Sequence, residues 1–319
     1  MIRFENVNLE YEKNNLVIEN LNLTINDNEF VVIIGPSGCG KTSLVKMLSG
    51  LTKPTSGNIY INDKLVNDIP SYDRGISFMQ QNSKPYPHLS VFKNISFPLE
   101  LKKMDKELIK TKVEEISEML SIKPYLARMP KELSGGEYQR VNLARTLILD
   151  NDIVIFDEPL SSLDYNLKQD LRYDIKRLHK MYNHITIYIT HDQDEAMSLA
   201  DRIVLMDNGK IIQEGTPIEL YDNPVNMFSA SFLSKMNYIK HDNYILGFRP
   251  TDVELDGDIP VKIIDKEIIK DKLNVYAELD GVKIEFVTDI HKELKDEEKI
   301  RINKKYYFDI ERKFRKEID

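Results

Sequence analysis

The sequence of 319 residues contains one cysteine, Cys39, and fewer basic than acidic side chains. A single cysteine excludes a disulfide framework and a cysteine-ligated zinc site within one chain, and it fits a reducing cytoplasm best. The 44 Lys and Arg residues against 52 Asp and Glu residues give a formal net charge of −8. Because a general nucleic-acid binder needs a basic surface to neutralise phosphates, we expect no nucleic acid among the partners.

Long hydrophobic runs are missing as well. The densest run, residues 30–34, is stopped by Gly35 and falls far short of the roughly 18 apolar residues that cross a bilayer. Residues 1–20 carry charges where a signal peptide has its apolar region. We therefore expect any membrane role to depend on a partner protein.

The apolar residues predict strands that alternate with helices. Residues 30–34 are apolar throughout, which is typical of a central strand covered on both faces, and the glycine-rich residues 35–43 lead into a helix that ends at Gly50. Residues 153–156 and 185–189 are further buried strands that end in polar residues. Helices are predicted over 105–121, from about Ser134, and over a segment with Leu163, Leu167, Leu171, Ile175 and Leu178 at helical spacing. Such alternation indicates an α/β layered domain whose ligands lie at the carboxyl ends of the strands.

The character of the sequence changes after about residue 235, where short strands follow one another without helices. These strands are predicted over 244–249, 261–269, 273–279, 282–287 and 299–310. Asp280 and Gly281 between two alternating runs predict a two-residue hairpin, because type I′ turns need positive φ at both positions. A single core stops growing at roughly 250–300 residues, so we predict a large domain over 1–235 and a small β-rich domain over 236–319.

The segment Gly35-Pro36-Ser37-Gly38-Cys39-Gly40-Lys41-Thr42 matches the P-loop pattern. Its glycines let successive backbone N–H groups curl around phosphates at a helix N-terminus. A glycine-rich turn that binds nothing would also match, but the buried strand before it and the helix after it favour a phosphate site. Lys41 would then contact the β and γ phosphates, and the Thr42 hydroxyl would ligate Mg²⁺. The predicted ATP-binding residues here are Gly35, Ser37, Gly38, Cys39, Gly40, Lys41, Thr42 and Ser43.

Two acids end the buried strand at 153–156. Asp157 would hold magnesium through water, and Glu158 would orient or deprotonate the attacking water. By themselves the two acids could equally be solvated turn residues. Their presence together with a P-loop favours the nucleotide interpretation.

The segment Leu133-Ser134-Gly135-Gly136-Glu137, followed by Gln139-Arg140, resembles the signature motif of ATP-binding cassette (ABC) ATPases. The resemblance covers residues 1–235. It implies that Tyr11 stacks on adenine, although this tyrosine could be a core residue, and that Gln81 is the Q-loop glutamine and a magnesium ligand, with Gln80 as the adjacent alternative. It also implies a D-loop over residues 161–164 and a catalytic role for the switch histidine His191 beside Glu158.

In this family two ATP molecules lie between two head-to-tail nucleotide domains. The resemblance therefore implies a homodimer, or a dimer with a paralogous ATPase, that closes on ATP and hydrolyses it with Mg²⁺. The residues that would complete the partner's ATP site are Ser134, Gly135, Gly136, Glu137 and Asp164.

The loop after the Q-loop glutamine, Tyr86-Pro87-His88-Leu89, resembles the surface that receives the coupling helix of a permease. Pro and Tyr could also be there as turn residues. With no membrane span of its own, the chain would be a separate ATPase subunit on the cytoplasmic face of the membrane, held by permease subunits and acting indirectly with a solute-binding protein.

The C-terminal residues 236–319 indicate which subclass of ABC ATPase to expect. Residues 247–255 resemble the opening of the OB-like (TOBE-type) domain in importer ATPases for sugars, polyamines and some anions, and Met236-Asn237 resembles the sugar-importer junction. The predicted fold is an α/β P-loop NTPase cassette, with a mixed sheet and a helical signature subdomain, followed by a small, abbreviated all-β OB-like domain.

The predicted function is ATP hydrolysis coupled to uptake of a carbohydrate. The alternatives are uptake of a polyamine or an anion, and a soluble ABC ATPase not coupled to transport. DNA-repair ABC ATPases insert long coiled coils between the P-loop and the signature motif. The roughly 90 residues between these motifs here lack a sustained heptad pattern, which argues against that type. The presence of both Glu158 and His191 argues against a regulator that does not hydrolyse ATP.

Overall fold

The computed structural model describes residues 1–12, 15–161, 163–310 and 315–316. Contacts divide the chain into two compact units, residues 1–217 and 218–319. The sequence analysis places its domain boundary later, after residue 235. The segment 218–235 folds as short helices and groups with the second unit.

Strands and helices alternate through the first unit. Its strands are β1 (Ile2–Glu10), β2 (Leu16–Ile25), β3 (Phe30–Ile34), β4 (Ser56–Ile61), β5 (Lys64–Leu65), β6 (Ile76–Met79), β7 (Ile153–Asp157), β8 (Ile185–Thr190), β9 (Arg202–Asp207) and β10 (Lys210–Gly215). Its α-helices are α1 (Lys41–Leu48), α2 (Val91–Leu101), α3 (Lys106–Met119), α4 (Gly135–Leu147), α5 (Tyr165–Tyr182) and α6 (Gln193–Leu199).

The central sheet has the order β10-β9-β3-β8-β7-β6. Strands β9, β3, β8, β7 and β6 run parallel, and β10 pairs antiparallel with β9. Strand β3 is wholly buried, as its uniform apolar character predicts. The carboxyl ends of β3, β7 and β8 therefore meet at one edge of the sheet, which is where ligands bind in folds of this type.

A second, antiparallel sheet has the order β2-β1-β4-β5. One hydrophobic core joins residues of both sheets to Leu44, Val45, Met47 and Leu48 of α1. Helix α1 starts where the P-loop ends, so this core fixes the position of the loop.

The helices between β6 and β7 form the predicted helical region. Helix α2 packs against both α3 and α4. Asp105 caps α3 by accepting the N–H groups of Glu107 and Leu108 at 2.9 and 3.3 Å. Among the described residues, no helix is both long enough and apolar enough to cross a lipid bilayer.

Helix α5 starts later than the apolar spacing suggests. Asp164 adopts an extended ψ of 165° and accepts the Leu167 N–H at 3.1 Å. The inclusion of Leu163 in this helix was therefore wrong, because Asp164 is the N-cap and the helix begins at Tyr165, after Leu163.

The second unit is rich in β-structure. Its elements are α7 (Pro217–Asp222), α8 (Met227–Leu233), β11 (Asn237–Lys240), β12 (Ile245–Phe248), β13 (Val253–Ile269), β14 (Lys272–Leu279), β15 (Val282–Asp289), β16 (Glu297–Ile302), β17 (Tyr306–Phe308) and β18 (Arg315–Lys316). They form antiparallel sheets of order β11-β12-β17-β18 and β15-β14-β13-β16. The predicted class, a P-loop cassette followed by a β-rich region, is confirmed. Its OB-like type stays a prediction.

Two local predictions in this unit have opposite outcomes. The hairpin is confirmed, since Asp280 and Gly281 join β14 to β15 with φ of 50° and 77°. The single strand over 299–310 was wrong, because Asn303 donates its N–H to the Asp252 carbonyl at 2.8 Å and leaves the ladder between β16 and β17.

Arg249, in the segment 247–255, has a packing role in the second unit. Its side chain is fully buried, with the guanidinium carbon 3.7 Å from the ring centre of Tyr221 and 4.7 Å from that of Tyr306. It donates hydrogen bonds to the Tyr221 carbonyl and the Tyr306 hydroxyl. Stacking and hydrogen bonding together compensate a buried cation, so the arginine has a structural role within this unit.

A buried histidine pair in the first unit predicts acid sensitivity. His184 is 6% exposed, and its ring lies 5.6 Å from that of His179. Burial, with a smaller contribution from His179, lowers the pKa of His184 from 6.5 to about 4. The neutral imidazole is favoured in the folded state, so its contribution to stability is complete above pH 6.5 and is lost as the pH falls toward 4.

We expect the free energy of unfolding to fall by about 3 kcal/mol from this residue over that range. Urea unfolding of the wild type and of His184→Gln, measured at neutral pH and near pH 4, checks this. The variant should show a smaller acid loss, while the matched change at the exposed His291 should leave the loss unchanged. An equal acid loss in wild type and His184→Gln would contradict the prediction.

Candidate functional site

The P-loop connects β3 to α1 at the carboxyl edge of the central sheet. Gly38 and Gly40 have φ of 81° and 107°, in the left-handed region that favours glycine. A Cβ atom on Gly40 would lie 2.6 Å from Ile18 Cδ1. The loop therefore needs glycine at this position for both conformation and space, and it presents the N-terminus of α1 toward the cavity described below, an arrangement suited to anions.

Lys41 lies beneath this loop and is 6% exposed. Its ammonium donates to the carbonyls of Gly35 and Pro36 at 2.8 and 2.9 Å. Cys39 is buried with its sulfur 3.8 Å from the same ammonium. Burial raises the pKa of the Cys39 thiol, and Lys41 partly opposes the shift. Cys39 is thus a protonated packing residue whose part in the loop is its backbone.

Thr42 and Asp157 connect the P-loop to the end of β7. The Thr42 hydroxyl donates to Asp157 Oδ1 at 3.2 Å. Asp157 is 3% exposed, and burial raises the pKa of its carboxyl against the opposing hydrogen bond from Thr42. A hydroxyl and a carboxylate in contact are the hard oxygen donors that Mg²⁺ prefers in combination with phosphate oxygens.

Glu158 brings three loops together. It has a φ of 48°, which is uncommon for a non-glycine residue, and its N–H donates to the Ile189 carbonyl at 2.9 Å. Gln81 Nε2 donates to Glu158 Oε2 at 2.9 Å, and His191 Nδ1 lies 3.3 Å from Glu158 Oε1. Gln80 instead donates its backbone N–H to Ser83, so the side chain in contact with Glu158 is that of Gln81.

These groups line one cavity of about 340 Å³. Its lining consists of Val17, Ser37, Gly38, Gly40, Lys41, Thr42, Ser43, Gln81, Glu158 and His191. Gly35, Cys39 and Asp157 are buried and are not among the lining residues. Tyr11 does not line the cavity, but its hydroxyl is 3.1 Å from the Ser43 hydroxyl and its side chain is 52% exposed. The Tyr11 ring is therefore exposed next to the P-loop, where a ligand in the cavity could contact it.

The predicted signature residues form a separate structure at the start of α4. The Ser134 hydroxyl accepts the Glu137 N–H at 3.4 Å, and the Glu137 carboxylate accepts the Ser134 N–H at 2.8 Å. This capping box holds the pKa of the half-buried Glu137 below its usual value, chiefly through the Ser134 N–H.

The signature region also packs against the D-loop region. A Cβ atom on Gly136 would lie 2.9 Å from Leu167, and one on Gly135 would lie 3.9 Å from Leu163. Ser134, Gly135, Gly136, Glu137 and Asp164 are outside the lining of the cavity. Of the predicted D-loop, Ser162 lies outside the described residues.

The loop at 86–89 is exposed but tightly held. The buried Asn94 accepts the Tyr86 N–H at 2.6 Å and donates to the carbonyls of Tyr86, Leu89 and Ser90 at 2.9 to 3.1 Å. The Tyr86 ring packs on that of Phe97 at 5.1 Å, whereas Pro87 and His88 are exposed. The structure thus presents a fixed protrusion rather than a loose turn.

Sequence reasoning missed some residues of this region. Val17 lines the cavity, but as one apolar residue in an alternating strand it gave no signal. The Asn94 side chain holds the 86–89 loop through hydrogen bonds to backbone groups that lie at most eight residues before it. The only sequence signal for this role is an asparagine among the mostly apolar residues 91–99. Lys168 is one of several charged residues in α5, so its position in the sequence gave no signal either.

A P-loop backed by a buried lysine, an acid pair at the end of β7, and a glutamine and a histidine in contact with the second acid define a nucleoside-triphosphate-binding cassette. Comparison with known proteins agrees, as a family model described as ABC transporter matches residues 18–161. The oligosaccharides import ATP-binding protein MsmX of Bacillus subtilis is 39% identical over 316 residues, covering 89% of this chain and 86% of that protein. The chain therefore belongs to the ABC transporter family as one of its ATP-hydrolysing cassettes.

Two further relatives match a smaller share of the chain. The maltose/maltodextrin import ATP-binding protein MalK of Photorhabdus laumondii is 45% identical, and the match covers 75% of this chain and 65% of that protein. MalK of Escherichia coli is 46% identical, over 70% of this chain and 61% of that protein. The match therefore spans slightly less than two thirds of each MalK.

A solved structure has the same cassette fold. The ATP-binding cassette MJ0796, in a dimeric post-hydrolysis state bound to ADP and Pi, superposes with a TM-score of 0.61 at 29% identity. It covers 68% of this chain, and 99% of that cassette is matched.

Proposed function

We propose that this chain is the ATP-hydrolysing subunit of an ABC importer for carbohydrates. One observation carries the proposal: Gln81 and His191 both contact Glu158, and all three line the same cavity as the P-loop. The import ATP-binding proteins MsmX and MalK support the importer class and the carbohydrate.

ATP binding uses the backbone of the P-loop and the side chain of Lys41. The N–H groups of residues 37–43 surround the phosphates, and Lys41 exchanges its carbonyl partners for phosphate oxygens. Tyr11 stacks on the adenine, because base stacking accepts any aromatic face. Its hydrogen bond to Ser43 supports a position of the ring beside the loop.

Thr42, Gln81 and Asp157 fit a magnesium ion. They provide a hydroxyl, an amide and a buried carboxylate, all oxygen donors. Thr42 is hydrogen-bonded to Asp157, and Gln81 is hydrogen-bonded to Glu158, the residue that follows Asp157. Bound there with ATP, Mg²⁺ would neutralise negative charge on the phosphate oxygens.

Glu158 and His191 carry out hydrolysis. The Glu158 carboxylate orients the attacking water and accepts its proton, and His191 and Gln81 keep the carboxylate in place from either side. In phosphoryl transfer the protein chiefly positions the water and stabilises charge. His191 also contacts the γ-phosphate once ATP is bound.

A second cassette completes each site. Ser134, Gly135, Gly136, Glu137 and Asp164 lie outside their own cavity and are available to a head-to-tail partner, either a second copy or a paralogous ATPase. The dimeric state of MJ0796 supports this arrangement. ATP stabilises the closed dimer, and its hydrolysis releases it.

A permease receives the resulting motion through the 86–89 loop. The fixed, exposed protrusion of Tyr86, Pro87, His88 and Leu89 suits a coupling helix. The chain would then be held peripherally on the cytoplasmic face of the membrane, and a solute-binding protein would deliver the carbohydrate to the permease.

Cross-linking tests this coupling. We expect His88→Cys, co-expressed with a permease that carries a cysteine in its cytoplasmic coupling helix, to be joined to that cysteine by a short thiol-specific cross-linker, because His88 is exposed on a loop held by Asn94. The native Cys39 is buried and does not compete. His291→Cys, an exposed position in the second unit, is the matched control and should give no permease adduct. Absence of an adduct from His88→Cys in an assembled, ATP-hydrolysing complex would refute the proposed interface.

A further inference from the structure

Lys168 makes a contact that the proposed mechanism does not use. Its ammonium lies 3.2 Å from Asp192 Oδ2 and 3.7 Å from Glu195 Oε1, and its side chain is 19% exposed. Glu195 is 2% exposed. A cation held between two carboxylates on another helix, largely away from water, is more than a surface ion pair.

The two carboxylates fix the backbone on both sides of His191. The Thr190 hydroxyl donates to Glu195 Oε2 at 2.7 Å, and the Asp192 N–H donates to the Thr190 hydroxyl at 3.0 Å. The Glu195 N–H then donates to Asp192 Oδ1 at 3.1 Å. His191 itself has a 55% exposed side chain, so its direction depends on the neighbours that this network holds.

Lys168 lies in the first turn of α5, directly after the D-loop residues 161–164. Its backbone N–H makes the ordinary helical bond to the Asp164 carbonyl at 3.0 Å. The Lys168 side chain thus joins the turn that follows Asp164 to the segment that carries His191.

Removal of the Lys168 charge would leave Asp192 and Glu195 facing each other without a cation. Burial alone would raise the pKa of Asp192, yet that pKa is held below its usual value because the Glu195 N–H and Lys168 stabilise the carboxylate. Without Lys168 the two like charges repel. The segment at 190–195 would shift to bring water to them, and His191 would move with it.

We propose that Lys168 is a positioning residue that couples the start of α5 to His191. The inference rests on the proposed role of His191 in hydrolysis. It adds that the D-loop end of α5 and the switch histidine move as one unit, so a change at either end is transmitted to the other.

Steady-state ATP hydrolysis by the full chain tests the inference. Lys168→Met keeps the length of the side chain and removes its charge, and we expect kcat to fall about 10- to 100-fold, the range that a small misplacement of a catalytic group produces. The KM for ATP should change less than about twofold, because the P-loop contacts stay intact. Lys168→Arg should retain activity to within about threefold, since its guanidinium can satisfy both carboxylates.

The matched control is Lys176→Met on the same helix. The Lys176 ammonium donates to the Ser198 carbonyl near the C-terminal end of α6 rather than to Asp192 or Glu195 at its start, so the kcat of this variant should stay at the wild-type value. Asp192→Asn removes the charge but preserves a helix cap and leaves Lys168 paired with Glu195, so it should lose less kcat than Lys168→Met. The double variant with Lys168→Met has no pair of like charges, so it should regain part of the lost kcat, and it provides the test if Lys168→Met alone does not fold.

Several results would overturn the inference. These are an unchanged kcat in Lys168→Met, a loss that Lys168→Arg does not rescue, a loss that appears as weaker ATP binding, and a double variant with Asp192→Asn that recovers none of the kcat lost in Lys168→Met. The proposed function fails in a different way, since it fails if the wild type does not hydrolyse ATP or if Glu158→Gln does not stop hydrolysis.

Discussion

The Glu158→Gln variant is expected to bind ATP normally and to lose steady-state hydrolysis by about 100- to 10,000-fold, the contribution typical of a positioned general base. The amide has the shape of the carboxylate and can stay between Gln81 and His191, which approach its oxygens at 2.9 and 3.3 Å. It cannot accept a proton from water. Phosphate release measures the loss, and nucleotide titration measures the binding.

The same variant should accumulate a dimer with Mg²⁺ and ATP. When hydrolysis is blocked, the ligand that favours the closed arrangement is not consumed. Size-exclusion chromatography with and without nucleotide detects the dimer. The matched control is Glu254→Gln, an exposed acid in the second unit, which should hydrolyse ATP at the wild-type rate. Wild-type turnover in Glu158→Gln would remove Glu158 from its proposed role.

The parts of the site that the sequence predicted are those whose chemistry is local. A P-loop works through consecutive backbone groups, so the order of glycines, Lys41 and Thr42 is visible in a few residues. The hairpin at Asp280 and Gly281 was predicted for the same reason, because its φ angles depend on the two residues themselves. The alternation of strands and helices then indicated that Glu158 and His191 would lie at the same sheet edge.

The parts that the sequence did not predict depend on partners far along the chain. The second half of β13 was expected, but its first half is a strand because residues 297–302 pair with it. The contacts of Lys168 become visible only when α5 and α6 are packed together. Side chains that hold another residue in place carry no pattern of their own, so they need coordinates to be recognised.

Loss of Lys41 is expected to have a comparably large effect and to act on a different step. Lys41→Ala should weaken ATP binding by about 10- to 100-fold, because a charge-assisted hydrogen bond contributes about 1.5–3 kcal/mol. Hydrolysis should fall by at least about 100-fold, since the γ-phosphate loses a cation that stabilises its developing charge. The two effects separate this variant from Glu158→Gln, which keeps its affinity.

Lys41 also supports the conformation of the P-loop itself. Its ammonium donates to the carbonyls of Gly35 and Pro36 and so supports the loop without nucleotide. Lys41→Met keeps the buried stem and removes only the charge, so the difference between the Met and Ala variants in thermal unfolding isolates the packing of the stem. Both variants should lose ATP binding, whereas Lys53→Ala, at an exposed pair with Asp68, should lose none. Unchanged affinity in Lys41→Met, measured by nucleotide titration, would contradict the assignment of the P-loop as the phosphate site, because no other described lysine or arginine lines the cavity.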